Sequence, residues 1–137
     1  MNRGEFQALA EVRVREAEAL LAAGLWDGAY YLAGYAVECG LKACIAKRTK
    51  TDDFPDKKFA TDCHTHNLVE LLRLAGLKDV LDVAAVPGSK LSVNWTLVRS
   101  WSEAARYRRW SQNEAAAYLD AVTDPVDGVL PWIISRW

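Results

Sequence analysis

The sequence predicts an all-α protein: an up-and-down bundle of about four or five helices, built as a single domain over residues 1–137. Three observations predict it. Apolar residues recur at three- and four-residue spacing along most of the chain, no stretch alternates apolar and polar side chains as a half-buried strand does, and Gly or Pro falls between the periodic segments.

From Glu5 to Ala23, the side chains of Phe6, Leu9, Ala10, Val14, Ala17, Leu20 and Leu21 share one face, with Arg13, Arg15, Glu16 and Glu18 on others. This is an amphipathic helix, ended by Gly24. A second helix starts at Trp26 or Asp27, with Asp27 as N-cap or first-turn acid, and runs to Lys47 or Arg48, whose cations suit a C-terminus. Its stretch GAYYLAGYAVECGLKACIAKR is apolar or small up to Lys47, except at Glu38 and Lys42. A helix so poor in polar faces is either the centre of the bundle or buries a second face against a partner subunit. Gly34 and Gly40 inside it each cost about 1 kcal/mol relative to Ala, a loss usually offset by close approach of another backbone.

Residues 49–67, TKTDDFPDKKFATDCHTHN, lose periodicity and gather Asp, Thr and Lys, which predicts an exposed loop. HNLVELLRLAG returns to helical spacing and stops at Gly76, and LKDVLDVAAV adds a short turn before the Pro87-Gly88 break. KLSVNWTLVRSWSEAARYRRW is expected to form one further helix, through to Trp110. The last helix opens on Ser111 and Glu114 in capping-box register, with a kink or break expected around Pro125, Gly128 and Pro131.

Composition narrows the function classes. At 137 residues and 51% hydrophobic, the chain has enough apolar surface for one core, and its net charge of -1 carries no wholesale attraction to nucleic acid or anionic lipid, so any such binding needs a local patch. No apolar run reaches the ~20 residues that cross a bilayer, and the N-terminal stretch is studded with charge, so no membrane association and a cytoplasmic location are expected. Three cysteines, Cys39, Cys44 and Cys63, fit buried free thiols better than a disulfide framework.

Three clusters carry candidate chemistry. Glu38 and Lys42 are one helical turn apart with the acid N-terminal, the better orientation for an ion pair, at the edge of an apolar seam. Cys63, His64 and His66 invite a zinc hypothesis, but such short spacing does not close a tetrahedral site and no second ligand pair completes it, so no metal is predicted. Arg99, Ser102, Arg106 and Arg109 follow helical spacing, with Trp95 nearby and Tyr107 and Trp110 flanking the last arginines. Guanidinium groups grip phosphates and aromatic faces stack on bases, so Arg99, Arg106, Tyr107 and Arg109 are the candidate nucleotide- or RNA-binding residues, against the plainer reading of a solvated charged face. No Gly-rich phosphate loop, nucleophile elbow or paired-carboxylate motif is present, and no cofactor is implied.

Taken in order, AGYAVECGLKACIAKR, HTHNLVELLRLAG, ARYRRW and NEAAAYLDAV resemble the HEPN domain family, from about Trp26 to the C-terminus. The most specific parts are Ala36 to Ala43, with Glu38, Leu41, Lys42 and Ala43 in the family's order, then Thr65 to Leu68, and the Arg106-Tyr107 pair. The resemblance implies a bundle that forms a homodimer, often beside a minimal nucleotidyltransferase in toxin–antitoxin or related systems. It also implies that Glu38 and Lys42 form a polar core that orients His66 or an arginine across the bundle. Many active members cleave RNA without metal, using an Arg followed after four to six residues by His. Here Arg106, Arg108 and Arg109 have no His at that distance, and neither histidine has an Arg at that distance before it. Without that imidazole the usual general acid–base group is missing. The leading expectation is therefore a non-catalytic or weakly active nucleotide- or RNA-binding module. The alternatives are an endoribonuclease that uses Arg106 with His66, and a non-enzymatic docking subunit.

Overall fold

A computed structural model describes residues 1–49, 54 and 56–137. Among these the chain is all-α, with eight α-helices and one 3-10 helix: α1 Arg3–Ala22, α2 Trp26–Arg48, α3 Lys57–Asp62, α4 Leu68–Leu74, α5 Lys78–Ala84, α6 Lys90–Val98, the 3-10 helix Glu103–Tyr107, α7 Gln112–Thr123 and α8 Val129–Ile134.

Helix α1 opens on a capping box in which the Asn2 side chain accepts from the Glu5 amide and Glu5 accepts from the Asn2 amide. It ends where Gly24 takes φ +79°, a backbone region that glycine enters without strain. Helix α2 then folds back along α1. Its acid and base placement follows the macrodipole, with Asp27 in the first turn and Lys47 and Arg48 in the last, and its N-cap position is Leu25.

Helix α2 is the hub. It packs against α1, α4, α7, α8 and the 3-10 helix. Thirteen of its residues are buried, among them Ala33, Val37, Leu41 and Ile45. The chain itself thus covers the apolar helix, as its centre, and Tyr31 and Tyr35 are left half-buried. Leu68, Leu71, Leu72 and Leu74 of α4 reach it from one side, and Ala115, Tyr118, Leu119 and Val122 of α7 from another, in one continuous core that also takes in Val129, Leu130 and Ile133 of α8. Burying a Leu or Ile side chain stabilises by about 1.5–3 kcal/mol.

The two central glycines admit side chains rather than backbone. A Cβ on Gly34 would overlap Cδ1 of Trp101, so this glycine is the notch into which the indole fits, while at Gly40 a Cβ would stand 3.1 Å from Leu130 Cδ1. The C-terminus is tied back by Arg3 Nη2, which donates to the Trp137 carbonyl at 2.8 Å, and by Lys47 Nζ, which donates to that of Arg136 at 3.1 Å.

Three expectations are corrected. The 49–67 segment is not all loop: Asp56 accepts from the Lys58 amide and starts α3, a helix of six residues that the mixed composition concealed. Lys50, Thr51, Asp52, Asp53 and Pro55, in the same segment, lie outside the described residues. His66 is not the first residue of its helix, because Asn67 caps α4 by accepting from the Glu70 amide. The third correction matters most for function. The helix expected from Lys90 to Trp110 stops at Val98, and the chain continues through a turn, the 3-10 helix and an extended link.

That stop has a tertiary cause. Tyr118 Oη, on α7, donates to the Val98 carbonyl at 2.9 Å, and Ser100 Oγ donates to that of Leu97 at 2.6 Å, so carbonyls at the end of α6 are satisfied without another turn. Trp101 meanwhile enters the Gly34 notch. The break expected in the last helix occurs at residues 124–128, where Asp124 Oδ1 accepts from the Val126 and Asp127 amides. Pro131 sits in the first turn of α8, where a missing N–H costs little.

Candidate functional site

Two polar assemblies stand on α2. The first follows from spacing: Tyr31, Tyr35, Glu38 and Lys42 lie at i, i+4, i+7 and i+11 and form one stripe. Glu38, only 2% exposed, is the buried charged residue of the described core. Lys42 Nζ donates to its Oε1 at 2.9 Å. His66 Nδ1 lies 2.9 Å from Oε1 and 3.1 Å from Oε2. An ionised carboxylate only accepts, so Nδ1 is the donor in this pairing, and the ring is half-exposed. The turn before α4 fixes the backbone around it: Thr65 Oγ1 accepts from the Asn67 amide, and Asn67 caps the helix.

Burial, with the Glu38 charge second, pushes the neighbouring Cys39 thiol up to about 12. Burial also raises the Tyr35 phenol, with smaller contributions from Cys39 and Glu38. Both groups are therefore neutral near pH 7, which leaves Glu38, Lys42 and His66 as the polar participants. The Arg13 guanidinium stands 5.6 Å from the centre of the Tyr35 ring.

The second assembly is the arginine segment. Because α6 ends early, Arg99, Arg106 and Arg109 do not form a stripe on one helix; they occupy the C-cap of α6, the 3-10 helix and the extended link. Arg106 lies 4.9 Å over the exposed Tyr107 ring, and the Tyr107 and Tyr31 side chains beside it raise its already high pKa further. Arg109 is 95% exposed, and its Nε is 3.7 Å from Asp27 Oδ2, a loose and solvent-screened pair. Arg99 is exposed, and no carboxylate among the described residues pairs with it. Glu103, inside the same segment, forms no ion pair with Arg99 or Arg106 among the described residues.

Sequence reasoning left out Arg108. Its guanidinium lies 4.3 Å over Trp110, whose ring stacks on Tyr30 at 3.5 Å and 8°, and Tyr30 in turn leans on Tyr118 at 4.3 Å. The Trp110 amide donates to Asp27 Oδ1 at 2.6 Å and its indole N–H to the Ala105 carbonyl at 3.2 Å, which anchors the extended link to α2 and the 3-10 helix. The signal was the i, i+2 spacing of Arg108 and Trp110, which shares a side in an extended segment but not on the helix expected there.

The structure brings together Glu38, Lys42 and His66, and separately Arg106 with Tyr107. It does not bring His66 to Arg106 within one chain: their anchor points on α2, Glu38 and Tyr31, are seven residues apart, about 10 Å along the axis. Among the described residues no group of three His, Cys, Asp or Glu side chains is placed to hold a metal, and the three cysteines are free. No described helix is long and apolar enough to cross a membrane.

A cavity of about 530 Å³ opens elsewhere, between the start of α1, the end of α2 and α3, walled by Phe6, Ile45, Phe59 and Cys63. Two cations on its wall are already engaged, Lys42 by Glu38 and Arg48 by the Leu74 carbonyl at 3.0 Å. Compared with known proteins, the chain matches no family model, no curated protein and no solved structure.

Proposed function

We propose that this chain is a nucleotide- or RNA-binding module that holds phosphate groups through the arginines between α6 and α7. One observation carries the reading. Arg99, Arg106, Arg108 and Arg109 crowd a short exposed segment with Tyr107 and Trp110, and the only carboxylate near them among the described ion pairs is Asp27, at 3.7 Å from Arg109. Exposed cations without a close ion pair remain available to an anionic ligand. Planar guanidinium groups and exposed rings also match phosphate oxygens and unstacked bases.

The resemblance to the HEPN family extends the proposal: the module acts as a homodimer, beside a nucleotidyltransferase, in a toxin–antitoxin or related system. A second reading, RNA cleavage, draws support from His66, which a buried carboxylate holds in one orientation as a general base requires. In a single chain the neighbours of Arg106 are Tyr107 and Tyr31 rather than His66, so this reading draws on the second subunit of a dimer. The third reading, a docking subunit, predicts neither binding nor cleavage.

Filter binding of a labelled single-stranded RNA and of ATP tests the first reading. The wild-type chain is expected to retain at least one of them at low salt, and Arg106→Ala with Arg109→Ala to weaken retention by about tenfold or more. No retention of either probe overturns it. Cleavage of RNA that is abolished by His66→Ala would install the second reading in its place.

A further inference from the structure

Two cavities adjoin at the start of α7 and share Tyr30, Ser100, Arg108 and Trp110 as a common wall. The smaller, about 230 Å³, is lined besides by Ser102 and the 3-10 helix, and no carboxylate contributes to it. Its only charged group is the Arg108 guanidinium, and its hydroxyl-bearing groups are Tyr30, Ser100 and Ser102. The larger, about 470 Å³, extends past Leu97 to Asn113 and is the more apolar of the two.

We propose that the two cavities form a seat for a terminal phosphate monoester, with the phosphate on Arg108 in the smaller cavity and the attached nucleoside in the larger one, against Leu97 and Asn113. The inference rests on the phosphate-binding reading above and names the ligand class and the residue that selects it. A monoester at the end of a chain carries more charge than an internal phosphodiester and offers three terminal oxygens, which suits one guanidinium beside the Tyr30 and Ser102 hydroxyls, the Ser100 hydroxyl already donating to the Leu97 carbonyl.

Arg108 is also the arginine best held for this task. The ring of Trp110 lies under its guanidinium, and Tyr30 and Tyr118 support that ring from below, so the cation rests on a stack rooted in the core. Arg106 and Arg109, by contrast, have the exposed Tyr107, the half-buried Tyr31 and the loose Asp27 pair, which suits contacts along a backbone rather than recognition of an end. Burial raises the Tyr30 phenol, so it stays protonated at neutral pH and able to donate. Glu114 borders the larger cavity, where its Oε1 accepts from the Ser111 amide at 3.1 Å; that bond and, to a smaller extent, the Arg108 charge hold its carboxyl below the usual range.

The test compares one short RNA with a 5′-phosphate and the same RNA with a 5′-hydroxyl, together with AMP and adenosine, by equilibrium binding to the full chain. The expected result is tighter binding of the phosphorylated RNA, by about tenfold, and of AMP over adenosine. Arg108→Gln, which keeps much of the packing on Trp110, is expected to erase that preference while leaving the 5′-hydroxyl RNA bound. Arg106→Ala with Arg109→Ala is expected to weaken both RNAs alike and to keep the preference. If the terminal phosphate makes no difference, or if Arg108→Gln weakens both RNAs equally, the seat is overturned while general RNA binding stands. If no probe binds at all, the underlying reading fails with it. AMP bound as tightly as the RNA would assign the seat to free nucleotides, whereas preference for the RNA would assign it to RNA ends; either result upholds the monoester site.

Discussion

Glu38 is where residue-level chemistry is most exacting. A carboxylate at 2% exposure, bonded by Lys42 and His66, is stable only while both partners remain, since removing one member of a buried pair strands the other. Glu38→Ala is expected to cost about 2–3 kcal/mol in urea unfolding, against the ~0.3–0.5 kcal/mol of an exposed helical pair, and a surface-sized loss would contradict the buried network. The cysteines give a second test. Cys39 is held neutral by burial, its thiol pushed from 9.0 to about 12. The folded form keeps that proton where the unfolded chain releases it, so this contribution is intact below pH 9 and is lost as pH rises toward 12. Stability measured across that window should fall, and Cys39→Ala should flatten the fall. A thiol reagent at pH 8 should reach half-buried Cys63 before Cys39 and Cys44.

At the scale of elements, α2 and the α6–α7 connection divide the work. Gly34 exists for Trp101: a Cβ there would overlap the indole, so Gly34→Ala is expected to destabilise by about 1–3 kcal/mol despite Ala's better helix propensity, and an unchanged melting temperature would show that the notch is not needed. The same insertion explains what the sequence concealed. Helical spacing through residues 90–110 is real, but periodicity cannot register that Tyr118 caps Val98 from another helix, or that Trp101 leaves the helix to fill a gap in α2. By contrast, α1, α2 and the Ser111–Glu114 capping box were legible because their signals are local: caps, end charges and apolar faces. The pairing of Glu38 with Lys42 was equally local, at i, i+4. Its bond to His66 spans 28 positions and was reached through the family resemblance rather than through spacing. In hydrogen exchange, amides of the 3-10 helix and the link to Ser111 should exchange much faster than those at the centre of α2; equal protection would restore the single long helix.

For the whole molecule, the core and the charged segment pull in different directions. One continuous apolar core, gathered round α2 from α1, α4, α7 and α8, accounts for the fold, and it leaves outside it a run of arginines that contributes little to that core. All-α class was readable from composition and period together, while the number and breaks of the helices were not, because short helices such as α3 and α5 depend on caps and on what they pack against more than on their own periodicity. The central claim is that the arginine run binds phosphates. The salt dependence of single-stranded RNA affinity tests it most directly: with about three phosphates engaged, the plot of log affinity against log salt should have a slope near −2, moving toward zero when Arg106, Arg108 and Arg109 are replaced together by Ala. A slope unchanged by that triple replacement, or no measurable affinity at low salt, would contradict the account.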